Sequence, residues 1–318
     1  MPDRQPEPLN TDALFAAPAW GCSCSLHRRR LFAGALVAAA ASPVLGREGV
    51  DVGPMSSMTR LVSADQVEQA AVQNYLQLRQ DAAKQRALVP DDHPQLIRLR
   101  YIAKRIIPYT YEWNPRARSW KWEVSLIGSK QLNAFCMPGG KIAFYYGILT
   151  QLQLTDDEVA MIMGHEAAHA LREHARERMG KEFATRAGAN VVSQLFGLGN
   201  LGNVALSMGA NLLTLRFSRE DESEADLVGI ELAARAGYDP EAGVTLWQKM
   251  ARAAQGAPPE FVSTHPSGPT RIRDIQVNLP KVEPLYARAS RPERRFEVAR
   301  WNTSADRPTT DSQRSVSN

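Results

Sequence analysis

Apolar residues recur at helical spacing in the first ordered stretch of the chain. Val67, Ala70, Ala71, Tyr75, Leu78 and Ala82 predict a helix over residues 64–88, with Ser63 as its N-cap. A second helical pattern covers 95–107 and is expected to stop at Pro108. The period then changes to two. Trp120 to Ile127 alternates and carries aromatic and β-branched residues, which predicts a strand. Shorter strands are expected at 132–136 and 141–146, joined by a turn at Pro138-Gly139-Gly140. From Thr150 onward the pattern is helical. Thr155 and Glu158 form a capping box opening a helix that runs to about Met179. Further helices are expected from Ser218 to Ala236, ending at Gly237, from about Pro240, and from about Pro269 to Leu279. The expected class is α+β, predominantly helical, with a small antiparallel sheet or hairpin.

Two stretches depart from this pattern. Residues 187–215 carry no charge, yet hold five Gly and five Asn or Gln, so they read as buried helices and loops. The alternative is a lid or a flap touching a membrane surface or another envelope protein. Near the N-terminus, Arg28-Arg29-Arg30-Leu31-Phe32 precedes a short Ala-rich apolar run, the plan of a twin-arginine export signal over 1–46. The alternative is an uncleaved membrane anchor. A linker is expected at 47–62, one domain at 63–301 and a disordered polar tail at 302–318.

Composition narrows the function. Hydrophobic residues at 44% and charged residues at 23% describe a globular chain. A net charge of +4, with no Lys/Arg block in the body, gives no footprint for nucleic acid. Cys22 and Cys24 leave with the leader, so Cys136 is alone and no internal disulfide forms. Export places the protein in the periplasm or cell envelope, with membrane association as a variant.

The chemistry centres on His165-Glu166-Ala167-Ala168-His169. On a helix, residues i and i+4 share a face, so His165 and His169 can hold one metal ion. Glu166 then sits where it can take a proton from water. A charged, solvated helix turn is the plain alternative, but the residues before the motif, from Val159 to Gly164, are mostly apolar. A catalytic zinc needs a third protein ligand. A third His six residues on is excluded, because position 175 is Ala; His174 is one residue off and faces another side of a continuous helix. The acidic run from Glu220 to Asp226 offers a glutamate instead. A ligating His usually gives its other N–H to a carboxylate, and only Glu222 has an Asp one turn later, Asp226. Glu222 is the expected ligand and Asp226 its supporting partner, with Glu224 the second choice. A closed structural site would use several cysteines, which the body lacks.

These motifs resemble those of the HtpX- and Oma-type zinc metallopeptidases, the gluzincin family that includes the CAAX prenyl proteases. Asn133-Ala134-Phe135 followed by Pro138-Gly139-Gly140, and Thr264-His265-Pro266 with Arg271-Ile272, are similar to two further family motifs. The resemblance covers about residues 63–280 and is strongest to compact exported bacterial members. It implies a zincin-like domain with the hairpin beside the HExxH helix, and one Zn²⁺ per chain on His165, His169 and Glu222. It implies that Asn133 and the strand with Lys141, Ile142, Ala143 and Phe144 hold polypeptide substrate. It also implies catalytic roles for His265 and Arg271 as oxyanion donors, or for His265 as a fourth ligand that keeps the enzyme latent. The expected function is an envelope zinc endopeptidase in protein quality control. The alternative is a chaperone-like or latent binder of unfolded proteins.

Overall fold

In a computed structural model of the chain, residues 47–186, 216–254, 260–265 and 269–300 are described. The expected leader at 1–46, the uncharged stretch at 187–215 and the expected tail at 302–318 lie outside them.

Helix α1, Ala64–Lys84, starts where Ser63 accepts a hydrogen bond from the Gln66 amide. Its buried face holds Val67, Ala70, Ala71, Tyr75 and Ala82, the apolar series of the pattern. Tyr75 pins it to the sheet, donating towards Ser125 Oγ at 2.8 Å and Ile142 O at 2.9 Å. Helix α2, Pro94–Ile106, has Pro at its first turn, where a missing N–H costs nothing. Pro108 does not end it outright; the chain tightens into a 3-10 turn over Ile107–Glu112.

The strands are β1, Glu123–Ile127, β2, Ala134–Met137, and β3, Lys141–Tyr145. Trp120 and Trp122 fall outside the ladder. Their indole N–H groups bond Glu68 Oε1 and Ala117 O, and the two rings pack on each other. The β2–β3 hairpin is antiparallel, as expected, with Ala134 opposite Phe144. The sheet order is β1-β3-β2, and β1 joins β3 in parallel. A short helix α3, Tyr146–Gln151, follows directly.

Helix α4, Asp156–Leu171, begins with the capping box formed by Thr155 and Glu158. From Glu158 to Leu171 every residue is buried, so this helix is the centre of the core. It ends eight residues before the expected Met179. Glu173 takes a left-handed φ of +59°, and helix α5, His174–Arg186, leaves in a new direction. Helix α6, Arg219–Arg235, opens on a second capping box, Ser218 with Asp221. It packs against α4 more extensively than any other pair of elements. Gly164 and Gly229 make this possible: a Cβ on Gly164 would lie 2.8 Å from Gly229 O. The two backbones touch one residue before the first histidine.

Helix α7 is Ala242–Ala253, and a short α8, Glu260–Thr264, carries His265 at its end. Helix α9, Pro269–Arg288, runs nine residues past the expected Leu279, through Pro280 and Pro284. Buried Leu279, Val282 and Leu285 hold it, so packing outweighs the lost backbone hydrogen bonds. Residues 47–62 lie on the helical body. Val50 is buried, and the side chain of Glu231, with no exposed surface, accepts from Arg47, Arg235 and the Val50 amide.

Candidate metal centre

The buried α4–α6 contact brings four side chains together. One donor atom from each of His165, His169, Glu222 and His265 lies within 4.8 Å of all the others. All four residues are buried. His165 Nε2 is 3.1 Å from His169 Nε2 and 3.2 Å from His265 Nδ1. Glu222 spans the group, with Oε2 at 3.6 Å from His165 Nε2 and Oε1 at 3.5 Å from His169 Nε2.

The proton positions follow from the neighbours. Asp226 Oδ1 lies 2.9 Å from His165 Nδ1. Burial pushes the Asp226 carboxyl up, but Arg271 and His165 outweigh it and hold it at about 2. An ionised carboxylate only accepts, so His165 carries its proton on Nδ1 and leaves a lone pair on Nε2. Burial, with His165 next, drives His169 well below the usual imidazole range, so its charged form is disfavoured. Bare ring nitrogens facing one another at about 3 Å repel unless a cation lies between them. Glu166 Oε1 is also buried without a hydrogen-bond partner. Two imidazoles, a carboxylate and a third imidazole are the donor types zinc prefers, so the residues present fit a zinc ion.

Glu166 follows His165 on α4. Burial raises its pKa, against the pull of His265 and His165, and the Cys136 backbone hydrogen-bonds to it. His265 feels burial downwards, but Glu166 and Glu222 outweigh this and its pKa rises. Its Nδ1 is 3.0 Å from Glu222 Oε1, and its Nε2 is 3.5 Å from Glu166 Oε1. Of the two roles open for His265, this position makes it a fourth member of the donor set.

Two expectations are corrected. Arg271 does not face the cleft as an oxyanion donor. Its Nε and Nη2 donate to Asp226 at 2.6 and 2.8 Å, and Nη1 lies 2.7 Å from Glu222 Oε2. Stacked 3.6 Å over Trp247, Arg271 holds the carboxylates from behind. Nor do Lys141, Ile142, Ala143 and Phe144 line a substrate edge. They form the middle strand, paired on both sides, and Lys141 reaches Glu123 on the far strand. The strand beside the site is β2. A cleft lined by Asn133, Phe135, Glu166, His169, Phe217 and His265 runs along it. Asn133 stands at its head, its side-chain oxygen accepting from the Ala134 amide at 2.9 Å.

Three contributors escaped the sequence reading. Trp247 donates to Asp226 Oδ1 at 3.1 Å, and Phe217 stacks on His169. Neither carries a local signal. His174 touches His169, contrary to its expected place on another helical face, because α4 breaks before it. Glu224, the second choice for ligand, pairs with Arg172 outside the donor set.

Comparisons with known proteins agree with this geometry. A mitochondrial metalloendopeptidase OMA1 of Schizosaccharomyces pombe is 35% identical over 202 residues, 62% of this chain and 56% of the relative. That of Arabidopsis thaliana is 39% identical over 154 residues, 48% of this chain and 30% of the relative. The beta-barrel assembly-enhancing protease of Escherichia coli is 27% identical over 182 residues, 52% of this chain and 36% of the relative. The chain thus spans about half or less of these three relatives, which are mitochondrial and bacterial. The profile of peptidase family M48 matches residues 99–278, more than half of the chain, and includes every member of the donor set. The chain belongs to peptidase family M48.

Proposed function

We propose that the protein is a zinc-dependent endopeptidase, exported to the cell envelope, that cuts polypeptides in protein quality control. The observation that carries the reading is the convergence of His165, His169 and Glu222 with Glu166 beside them. These three would hold the metal, which when bound polarises a peptide carbonyl and acidifies water. Glu166 does the proton work: its raised pKa suits a group that takes a proton from water and hands it to the departing amine. Asp226 and Trp247 fix His165, while Arg271 fixes Glu222. Substrate would add as a strand along the free edge of β2, entering the cleft headed by Asn133. The leader and the relation to the beta-barrel assembly-enhancing protease support the envelope and the quality-control role.

One observation favours a second reading, a latent or chaperone-like binder. His265 Nδ1 already occupies the donor set, where it competes with water. The deciding measurement pairs zinc content with casein cleavage for the chain and for Glu166→Gln. One zinc in both, with cleavage by the first alone, establishes the peptidase. One zinc in both and no cleavage by either favours latency, tested next by His265→Ala. Absence of zinc from both overturns the ligand assignment.

A further inference from the structure

His174 is buried beside the site, yet the mechanism above gives it no part. Its Nδ1 lies 2.9 Å from His169 Nδ1. Two ring nitrogens at that separation share one proton, so one donates and the other accepts. His169 turns its Nε2 into the donor set and needs a lone pair there, so its proton is on Nδ1 and His169 donates. A His174 that accepts on Nδ1 carries its own proton on Nε2. That atom is buried without a hydrogen-bond partner and points to Glu224 Oε1 at 3.7 Å. Glu224 is held in turn by Arg172, whose Nη2 donates to Gly53 O at 2.8 Å.

Resting on the zinc reading, we infer that Glu224 and His174 form a relay that fixes the tautomer and ring orientation of His169, as Asp226 does directly for His165. The local backbone is shaped for it. On a continuous helix, residues five apart point roughly 140° away from each other and cannot touch. Here α4 stops at Leu171, and Glu173 takes its left-handed φ of +59°, uncommon for a residue with a side chain. The turn swings His174 back under His169. Phe217, stacked on His169 with centroids 4.0 Å apart, covers a face of the ring. Both are positioning contacts; neither residue belongs to the donor set.

The test measures the zinc dissociation constant by chelator competition on the full chain, and the visible spectrum of the cobalt-substituted protein. His174→Ala, His174→Gln and Glu224→Gln are compared with the unmodified protein, and circular dichroism of each metal-free form checks the fold. His174→Ala is expected to weaken zinc binding by about 10–100-fold, as orienting partners of metal ligands do. His174→Gln, whose amide oxygen accepts from His169 Nδ1, recovers most of that loss. Glu224→Gln gives a smaller loss, about tenfold. The cobalt spectrum shifts in His174→Ala and not in His174→Gln. Unchanged zinc affinity in both His174→Ala and Glu224→Gln overturns the relay. Equal weakening in the two His174 variants with an unshifted spectrum also overturns it and leaves a packing role. If His174→Ala does not fold, the pair His174→Gln and Glu224→Gln decides: tight binding in the first and loss in the second supports the relay, and tight binding in both refutes it. An unmodified chain that binds no zinc refutes the metal reading itself, a distinct outcome.

Discussion

The two ends of α4 are both buried and both polar, yet they are built in opposite ways. At the N-terminal end, Arg98 has no exposed surface and each of its groups is matched. Its Nε donates to Asp156 at 2.6 Å, Nη1 to Gln95 at 3.1 Å and Nη2 to Leu154 O at 2.7 Å. Glu158 caps the helix and is met by Thr245 and Lys249. At the C-terminal end, three imidazoles crowd one another, and Glu166 Oε1 finds no hydrogen bond. Burial alone therefore does not mark a functional site. What marks it is buried polarity that the protein's own atoms leave unbalanced, because such a cluster is costly until a ligand completes it.

The contrast is sharpest at Glu166. Glu166→Gln is expected to lower casein turnover by about 10²–10⁴-fold, the usual reach of a general base. Its zinc content and metal-free stability should be retained, since a neutral amide replaces a carboxylate whose charge burial already disfavours. A matching fall in zinc content would make Glu166 a ligand and not a base. The opposite outcome is expected at the balanced end. Asp156→Ala leaves Arg98 buried and unpaired, and should cost about 3–5 kcal/mol in urea unfolding. Zinc affinity of the folded protein should be unchanged; weakened affinity would show that the two ends are coupled through the helix.

Acid should act on the metal end. Asp226 sits at about 2 in the folded chain against an ordinary 3.8, so the unfolded chain takes up its proton first. The stability this carboxylate contributes, about 2 kcal/mol, is present above pH 4 and lost as pH falls towards 2. Urea unfolding of the metal-free protein at pH 6 and pH 3, with Asp226→Asn alongside, checks this. An equal acid loss in the variant would place the effect elsewhere. The smallest effect is expected at the start of the helix. Thr155→Ala removes one half of the capping box and should cost about 1 kcal/mol without changing turnover.

Most elements were legible because local rules agree with the tertiary ones. Ser63 and Thr155 each cap where their spacing predicts, and the α1 face is the apolar series read from the chain. The Asp one turn after Glu222 singles out that glutamate from the acidic run, since a helical i, i+4 relation survives into any fold that keeps the helix. The misread features depend on contacts between distant residues. Nothing local says that β3 is the middle strand, because strand order is set by pairing across the sheet. The break after Leu171 has no Gly or Pro to announce it. The motif resemblance puts Arg271 towards the cleft, whereas the nearness of Asp226, Glu222 and Trp247 turns its guanidinium behind the ligands.

The sequence by itself determined the periodic elements, their caps and the residue types that can bind zinc and move a proton. These depend on spacing within one helix, and backbone geometry fixes that spacing. Only the tertiary structure decided which edge of the sheet faces Glu166, where Arg271 points, and that His265 joins the donor set. It alone turned His174 towards His169. The first three rest on side chains tens of residues apart that meet in a buried space, where cost is set by which charges and hydrogen bonds are left without a partner. That balance exists only once α4 and α6 have closed on each other.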